Sequence, residues 1–383
     1  MLKLAPKSLP VQCTDAASLW LSEALINAYI SHKSKYIEYN TTVKKKILSC
    51  VVIPLLSFAV VAAILISVAL IGNSFRFTQR AVTIPGPDGL LNGVLTLPRD
   101  EAAQGLVVMV HGDGPVDATQ GGLYSPWFEG ASDAGFATLS WSKPGVDGSS
   151  GDWLSQSMSD RAEEVSAVID WAKAHNDVPS EMIVLWGASQ AGWVLPKVVS
   201  GRHDIDGVVA VGTAINWLRQ GRFNLLAELD HEGATAEERE WAIVESDQTL
   251  DLLEKQATYE EYLIAADSAE LMEEARWGFV LQNFESDATG DLVDAAGCSI
   301  PWHLMVGTQD RNVDVLETEQ VYRSIFGSEL TVSHANGAHS LARTVVEDNG
   351  FVGLVTGIFW PRALLAPEVI DDYGSFLSRL AQD

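Results

Sequence analysis

Two kinds of apolar pattern run along this chain. Ile47 to Ile71 is an uncharged, predominantly apolar run. From Phe75 onward, short apolar runs alternate with stretches of helical periodicity. Ala81–Pro85 and Leu91–Leu97 read as an antiparallel strand pair around the turn Gly86-Pro87-Asp88-Gly89. Gly105–Val110 and Phe136–Trp141 read as buried strands, the second followed by the glycine-rich loop Pro144–Gly151. Ser159–His175 has the period of a helix. Then come the strand Met182–Trp186, a helix over Ala191–Ser200 and the strand Gly207–Val211. Near the end stand the strand Ile300–Val306, the helix Val315–Phe326, the strand Glu329–Ser333 and a last helix over Val369–Ala381. Such alternation predicts an α/β fold, with a mostly parallel central sheet and helices on both faces.

The alternation breaks between about Asn216 and Cys298. This stretch is helical in pattern and acidic, with Glu237-Glu238-Arg239-Glu240 and Glu260-Glu261, and carries Trp217, Trp241 and Trp277. An insertion at the carboxyl side of a strand overhangs the place where open α/β sheets bind ligands. A helical lid over about 216–298 is therefore expected, against the plainer reading of a solvated subdomain.

The run before Gly72 has a different destiny. About 25 apolar residues span roughly 37 Å as a helix, more than the ~30 Å hydrocarbon core. Lys44-Lys45-Lys46 precede it directly, and only Arg76 and Arg80 follow closely. The positive-inside rule then gives a cytoplasmic tail at 1–46, a transmembrane signal-anchor at 47–72 and an extracytoplasmic folded domain at 73–383. The runner-up is secretion after signal cleavage. Residues 1–42 lack a clear fold pattern. Either they form a short amphipathic tail around Ala17–Ile30, or the true start lies near Val43.

Charge narrows the partners. The chain carries 51 acidic and 25 basic residues, a formal charge of −26. After Asn73 the count is 48 acidic against 18 basic. Such a domain repels nucleic acid and anionic surfaces. Its membrane partner is its own N-terminal helix. Only Cys298 of the three cysteines lies in the large domain, so no internal disulfide is available there.

The chemistry centres on Gly187-Ala188-Ser189-Gln190-Ala191-Gly192, directly after an apolar strand. A strand, small residues, a serine and more small residues describe a sharp strand-to-helix turn that presents the Ser189 hydroxyl. A serine needs a base, and the base an orienting acid. Asp310, in the loop after the strand Trp302–Val306, is the candidate acid, with Asp314 the alternative. His339, in the loop after the next strand, is the candidate base, ahead of His334. An oxyanion needs backbone donors. The N–H of Gln190 is one, and that of Asp113 in His111-Gly112-Asp113-Gly114-Pro115 is the other, with Gly114 as alternative. His111 is expected to brace that loop.

Over about Arg80 to Asp383 these segments resemble the α/β-hydrolase superfamily, in its bacterial esterase, acyl-thioesterase and serine-aminopeptidase-like branch. The likeness rests on His111–Pro115, Lys143–Gly151, Gly187–Gly192, Asp310 and His339. Lys143-Pro144 stand where the family's loop often has Arg, and Ala191 where glycine is common. The resemblance implies a Ser-His-Asp acyl-enzyme mechanism without a cofactor or metal, acting on a small-molecule acyl substrate. A carboxylic-ester hydrolase leads. A serine aminopeptidase, using lid carboxylates to bind an ammonium, and an acyl-thioester hydrolase are rivals. An inert membrane-tethered binding module is the alternative of another class. Oligomeric state is left open.

Overall fold

The structure, a computed structural model, describes residues 16–266 and 271–382. It divides into two compact units, Met1–Val68 and Ala69–Asp383. Residues 1–15 of the expected tail, with Cys13, and positions 267–270 of the expected lid lie outside the described residues.

In the first unit, α1 (Ala16–Ile47) runs through a π-turn at Leu48–Val52 into α2 (Ile53–Gly72). The tail was expected to lack a clear fold pattern, yet it is helical from Ala16 on. The π-turn has a local cause. Pro54 has no N–H for the carbonyl four residues back, and the N–H of Ile53 reaches Leu48 instead. One continuous helix, Ala24–Gly72, is long and apolar enough to cross a membrane.

The second unit is built on an eight-stranded sheet of order β1-β2-β4-β3-β5-β6-β7-β8. Its strands are β1 (Phe77–Gly86), β2 (Gly89–Pro98), β3 (Gly105–Val110), β4 (Phe136–Trp141), β5 (Ile183–Ala188), β6 (Gly207–Val211), β7 (Trp302–Gly307) and β8 (Leu330–Ala335). Only β2 pairs antiparallel, with β1 and β4; every other pairing is parallel. The inner strands β3 to β7 read as largely apolar runs because both faces of the sheet are covered there. On β3, Leu106, Val108 and Val110 enter one core while Val107 and Met109 enter the other. On β5, Ile183 and Leu185 are divided from Val184 and Trp186 in the same way.

The helices of this unit are α3 (Ser125–Asp133), α4 (Met158–Ala174), α5 (Leu195–Gly201), α6 (Trp217–Glu232), α7 (Ala236–Glu254), α8 (Tyr259–Ala265), α9 (Glu274–Asn283), α10 (Thr289–Ala296), α11 (Val315–Phe326), α12 (Thr344–Glu347), α13 (Gly350–Phe359) and α14 (Val369–Leu380). Helices α6 to α10 form the insertion between β6 and β7. Capping boxes start two of them, Thr235 with Glu238 and Thr258 with Glu261. Of its tryptophans, Trp277 is buried, Trp217 stacks on Trp193 of the main body, and Trp241 stays exposed. The helix expected over Ala191–Ser200 is split: a 3-10 turn covers Ser189–Trp193 and α5 follows. Pro196 explains the late start, since proline suits only the first turn of a helix.

Candidate active site

Ser189 directly follows β5, in the middle of the sheet, and its φ is +52°. A non-glycine residue there is strained and persists only if its surroundings enforce it. They do. A Cβ on Gly187 would come within 2.8 Å of Ala191 Cβ and 2.9 Å of Leu195, and one on Gly192 within 2.7 Å of Thr213. The strand, the turn and α5 thus touch through residues without side chains. Gln190 is the second residue of the 3-10 turn, where the first N–H groups have no partner within the helix.

Asp310 and His339 meet in the next two loops. Oδ2 of Asp310 lies 2.8 Å from His339 Nδ1, and the Asp310 side chain is wholly buried. Its other oxygen accepts the N–H groups of Asn312 at 2.7 Å and Val313 at 2.9 Å. The two loops also hold each other by backbone bonds, from Thr308 N–H to Ala335 and from Gln309 N–H to Gly337. Beneath the ring, Gly212 at the end of β6 has φ +53°, and a Cβ there would sit 2.8 Å from the His339 carbonyl. Ser189 and His339 share the walls of two cavities rather than a hydrogen bond. The alternatives are occupied elsewhere. Asp314 caps α11 through Leu316 and Glu317 N–H, and exposed His334 pairs with Glu319 at 2.6 Å.

The loop His111–Asp113 runs beside the elbow: a Cβ on Gly112 would lie 3.4 Å from Ser189 Cβ. His111 does brace it. Its Nε2 donates to Trp141 O at 2.5 Å, its ring stacks on Tyr124, and burial pulls its pKa down to about 3, so it stays neutral. The Asp113 carboxylate turns toward the insertion, where Arg276 of α9 grips it with two bonds of 2.9 and 2.6 Å. Burial pushes that carboxyl up, but Arg276 outweighs it and holds it below its ordinary value. Gln190 Nε2 also donates to it, at 3.2 Å.

Under this loop lies a buried ionic group that sequence reasoning missed. Arg161 donates to Gln190 Oε1 at 2.6 Å and to the His111 carbonyl at 2.5 Å. Lys143 Nζ donates to the Gly112 carbonyl at 2.5 Å. That bond polarises the same peptide whose N–H belongs to Asp113. Burial, then the neighbouring Arg161 charge, lower the Lys143 pKa well below the ordinary value. Glu164 accepts from Trp141 Nε1 and Gln156, and burial raises its pKa despite them. A signal existed. Arg161 and Glu164 stand one turn apart on α4, among the buried Met158, Ala162, Val165 and Ile169, where an uncompensated charge is costly. Among the described residues, no three His, Cys, Asp or Glu side chains cluster as metal ligands would.

The architecture matches solved structures across most of the chain. An esterase of Pyrococcus furiosus superimposes with a TM-score of 0.50 at 17% identity, covering 79% of this chain and 91% of that one. The chain has the α/β-hydrolase fold. Also similar are a thermophilic esterase from Thermogutta terrifontis (16% identity, 79% and 99% covered, TM-score 0.46) and a lidless α/β serine hydrolase from Xanthomonas campestris (12%, 79% and 94%, 0.43). No family model and no curated sequence matches the chain. At these identities the likeness to the α/β-hydrolases is one of fold, and the chemistry must be argued from the site itself.

Proposed function

We propose that this protein is a serine hydrolase that cleaves carboxylic esters through an acyl-enzyme. One observation carries the reading: a serine at positive φ on the central strand and a histidine bonded to a buried aspartate face the same two cavities. His339 takes the Ser189 proton as Oγ attacks the ester carbonyl. Asp310 keeps the Nδ1 proton of His339 in place, so that Nε2 is the free base, and steadies the charged ring. The N–H groups of Gln190 and Asp113 receive the oxyanion. His339 then protonates the departing alcohol, and water activated by the same ring releases the acid.

The cap cavity weighs against the aminopeptidase reading. Of its carboxylates among the described residues, Asp113 is already neutralised by Arg276, which leaves Glu245 as the acidic group on the wall. With Lys44–Lys46 before the apolar helix, the domain is assigned to the extracytoplasmic side, where acyl-coenzyme A substrates are scarce. A fluorophosphonate probe tests the nucleophile. Wild type should label and Ser189→Ala should not. Labelling of Ser189→Ala would remove Ser189 from its role, and no labelling of wild type would favour an inert binding module. Turnover of aminoacyl-p-nitroanilides but not p-nitrophenyl esters would replace the ester assignment.

A further inference from the structure

We propose that α13 lies in the membrane interface and that the cavity behind it takes the acyl chain of an ester drawn from the bilayer. The chemistry of this proposal rests on the serine-hydrolase reading; the membrane contact does not.

Helix α13, Gly350–Phe359, contains no charged residue, and none of its residues is buried. Phe351 is 75% exposed and Val355 37%. An apolar helix in water is anomalous; its proper surroundings are a core or a lipid phase. Chain continuity says which. Within the second unit, the last turn of α2 is fastened to the far end of α13. The Gly72 carbonyl accepts from Arg362 Nη1 at 2.7 Å, and Asn73 Nδ2 donates to Ile358 O at 2.9 Å. A Cβ on Gly72 would lie 1.9 Å from Phe359 O, so the two backbones touch. Arg362 is itself held by Glu129, at 2.6 and 2.8 Å. The turn Ala69–Gly72, which belongs to this unit, is thus pinned to an apolar helix that lacks cover, and exposed Trp360 beside it suits the lipid–water boundary.

The inner face of α13 points the other way. Gly350, Gly353 and Gly357 line a cavity of about 990 Å³. Its remaining wall is mostly apolar, with Trp127, Trp186 and Leu365; Asp113 and Glu347 also border it, and it reaches Ser189 and His339. The second cavity at the same two residues, about 790 Å³, runs under the cap and carries Arg222, Glu245 and the Asp113–Arg276 pair. An apolar arm toward α13 and a charged arm under the cap suit an amphiphilic ester, with its chain on the membrane side and its polar alcohol under the cap.

The test uses the full chain in phosphatidylcholine proteoliposomes. Phe351→Glu with Val355→Glu changes only outer positions of α13, which do not line the cavity. Turnover of soluble p-nitrophenyl acetate should stay as in wild type, while hydrolysis of dioleoylglycerol in the vesicle should fall at least tenfold. Independently, an environment-sensitive dye on Phe351→Cys, with the native cysteines replaced by serine, should be quenched by brominated lipid. Equal dioleoylglycerol rates in wild type and variant, or an unquenched dye, would overturn the proposal. Loss of p-nitrophenyl acetate turnover in wild type would instead overturn the serine-hydrolase reading and leave the quenching result to judge the membrane contact.

Discussion

Replacing Asp310 by Asn changes one atom and, by the geometry of this loop, the proton on His339. Asp310 Oδ1 accepts two backbone N–H groups, at 2.7 and 2.9 Å, and Oδ2 faces His339 Nδ1 at 2.8 Å. An asparagine must keep its oxygen where the two N–H groups point. The flipped amide would strand both donors in a buried place, at about 1–3 kcal/mol each. Its NH2 therefore faces Nδ1, which must become the acceptor. The imidazole proton then moves to Nε2, the nitrogen that has to take the Ser189 proton. A base already carrying its proton fails, and kcat should fall about 10⁴-fold, or roughly 5.5 kcal/mol of transition-state stabilisation. Folding should lose only about 1 kcal/mol, since shape and hydrogen-bond count are kept. Steady-state rates on p-nitrophenyl acetate, with a thermal melt on the same sample, check both halves. A kcat within tenfold of wild type in a normally melting Asp310→Asn protein would refute the orienting role.

Three further outcomes follow from the packing. Gly212→Ala places a Cβ 2.8 Å from the His339 carbonyl and 3.3 Å from its ring, and an ångström of displacement should cost kcat about 10²-fold; unchanged kcat would show that the loop yields freely. Arg161→Met leaves Gln190 Oε1 and the His111 carbonyl without their donor and Glu164 with Lys143 but not Arg161 as countercharge. Urea unfolding should show a loss of about 3–5 kcal/mol, and a loss under 1 would contradict a structural role. Acid should also destabilise the fold through two buried imidazoles. Burial lowers the pKa of His111 to about 3 and of His303 to about 4, whereas both titrate near 6.5 when unfolded. Between about pH 6.5 and 4 the unfolded chain binds more protons, so stability present above pH 6.5 is lost as pH falls. The slope is about 1.4 kcal/mol per pH unit for each group; urea midpoints that stay flat from pH 7.5 to 5 would refute it.

Much of this protein was written in local pattern. The inner strands of the sheet were legible because a strand covered on both faces must be largely apolar, and a run such as Gly105–Val110 is too short to be read as a helix. The serine turn was legible too, since the small residues at 187, 191 and 192 answer a steric demand within six positions of chain. Asp310 and His339 could be picked by their order after successive strands. Other elements escaped because their reasons are not local. Helix α3 has only Pro126 in its first turn to mark it, and α13 reads as one more apolar stretch until the fold leaves it uncovered beside Gly72.

The sequence by itself determined the alternation of strands and helices, the apolar span before Gly72 and the residues proposed for acyl-transfer chemistry, because periodicity, composition and turn sterics act over a few neighbours. Only the tertiary structure decided which charges meet. Arg161 lies 50 positions from His111, and Arg276 lies 163 from Asp113. No local rule pairs them. They are neighbours because parallel strands bring successive loops to one edge of the sheet, where burial makes each charge seek its partner.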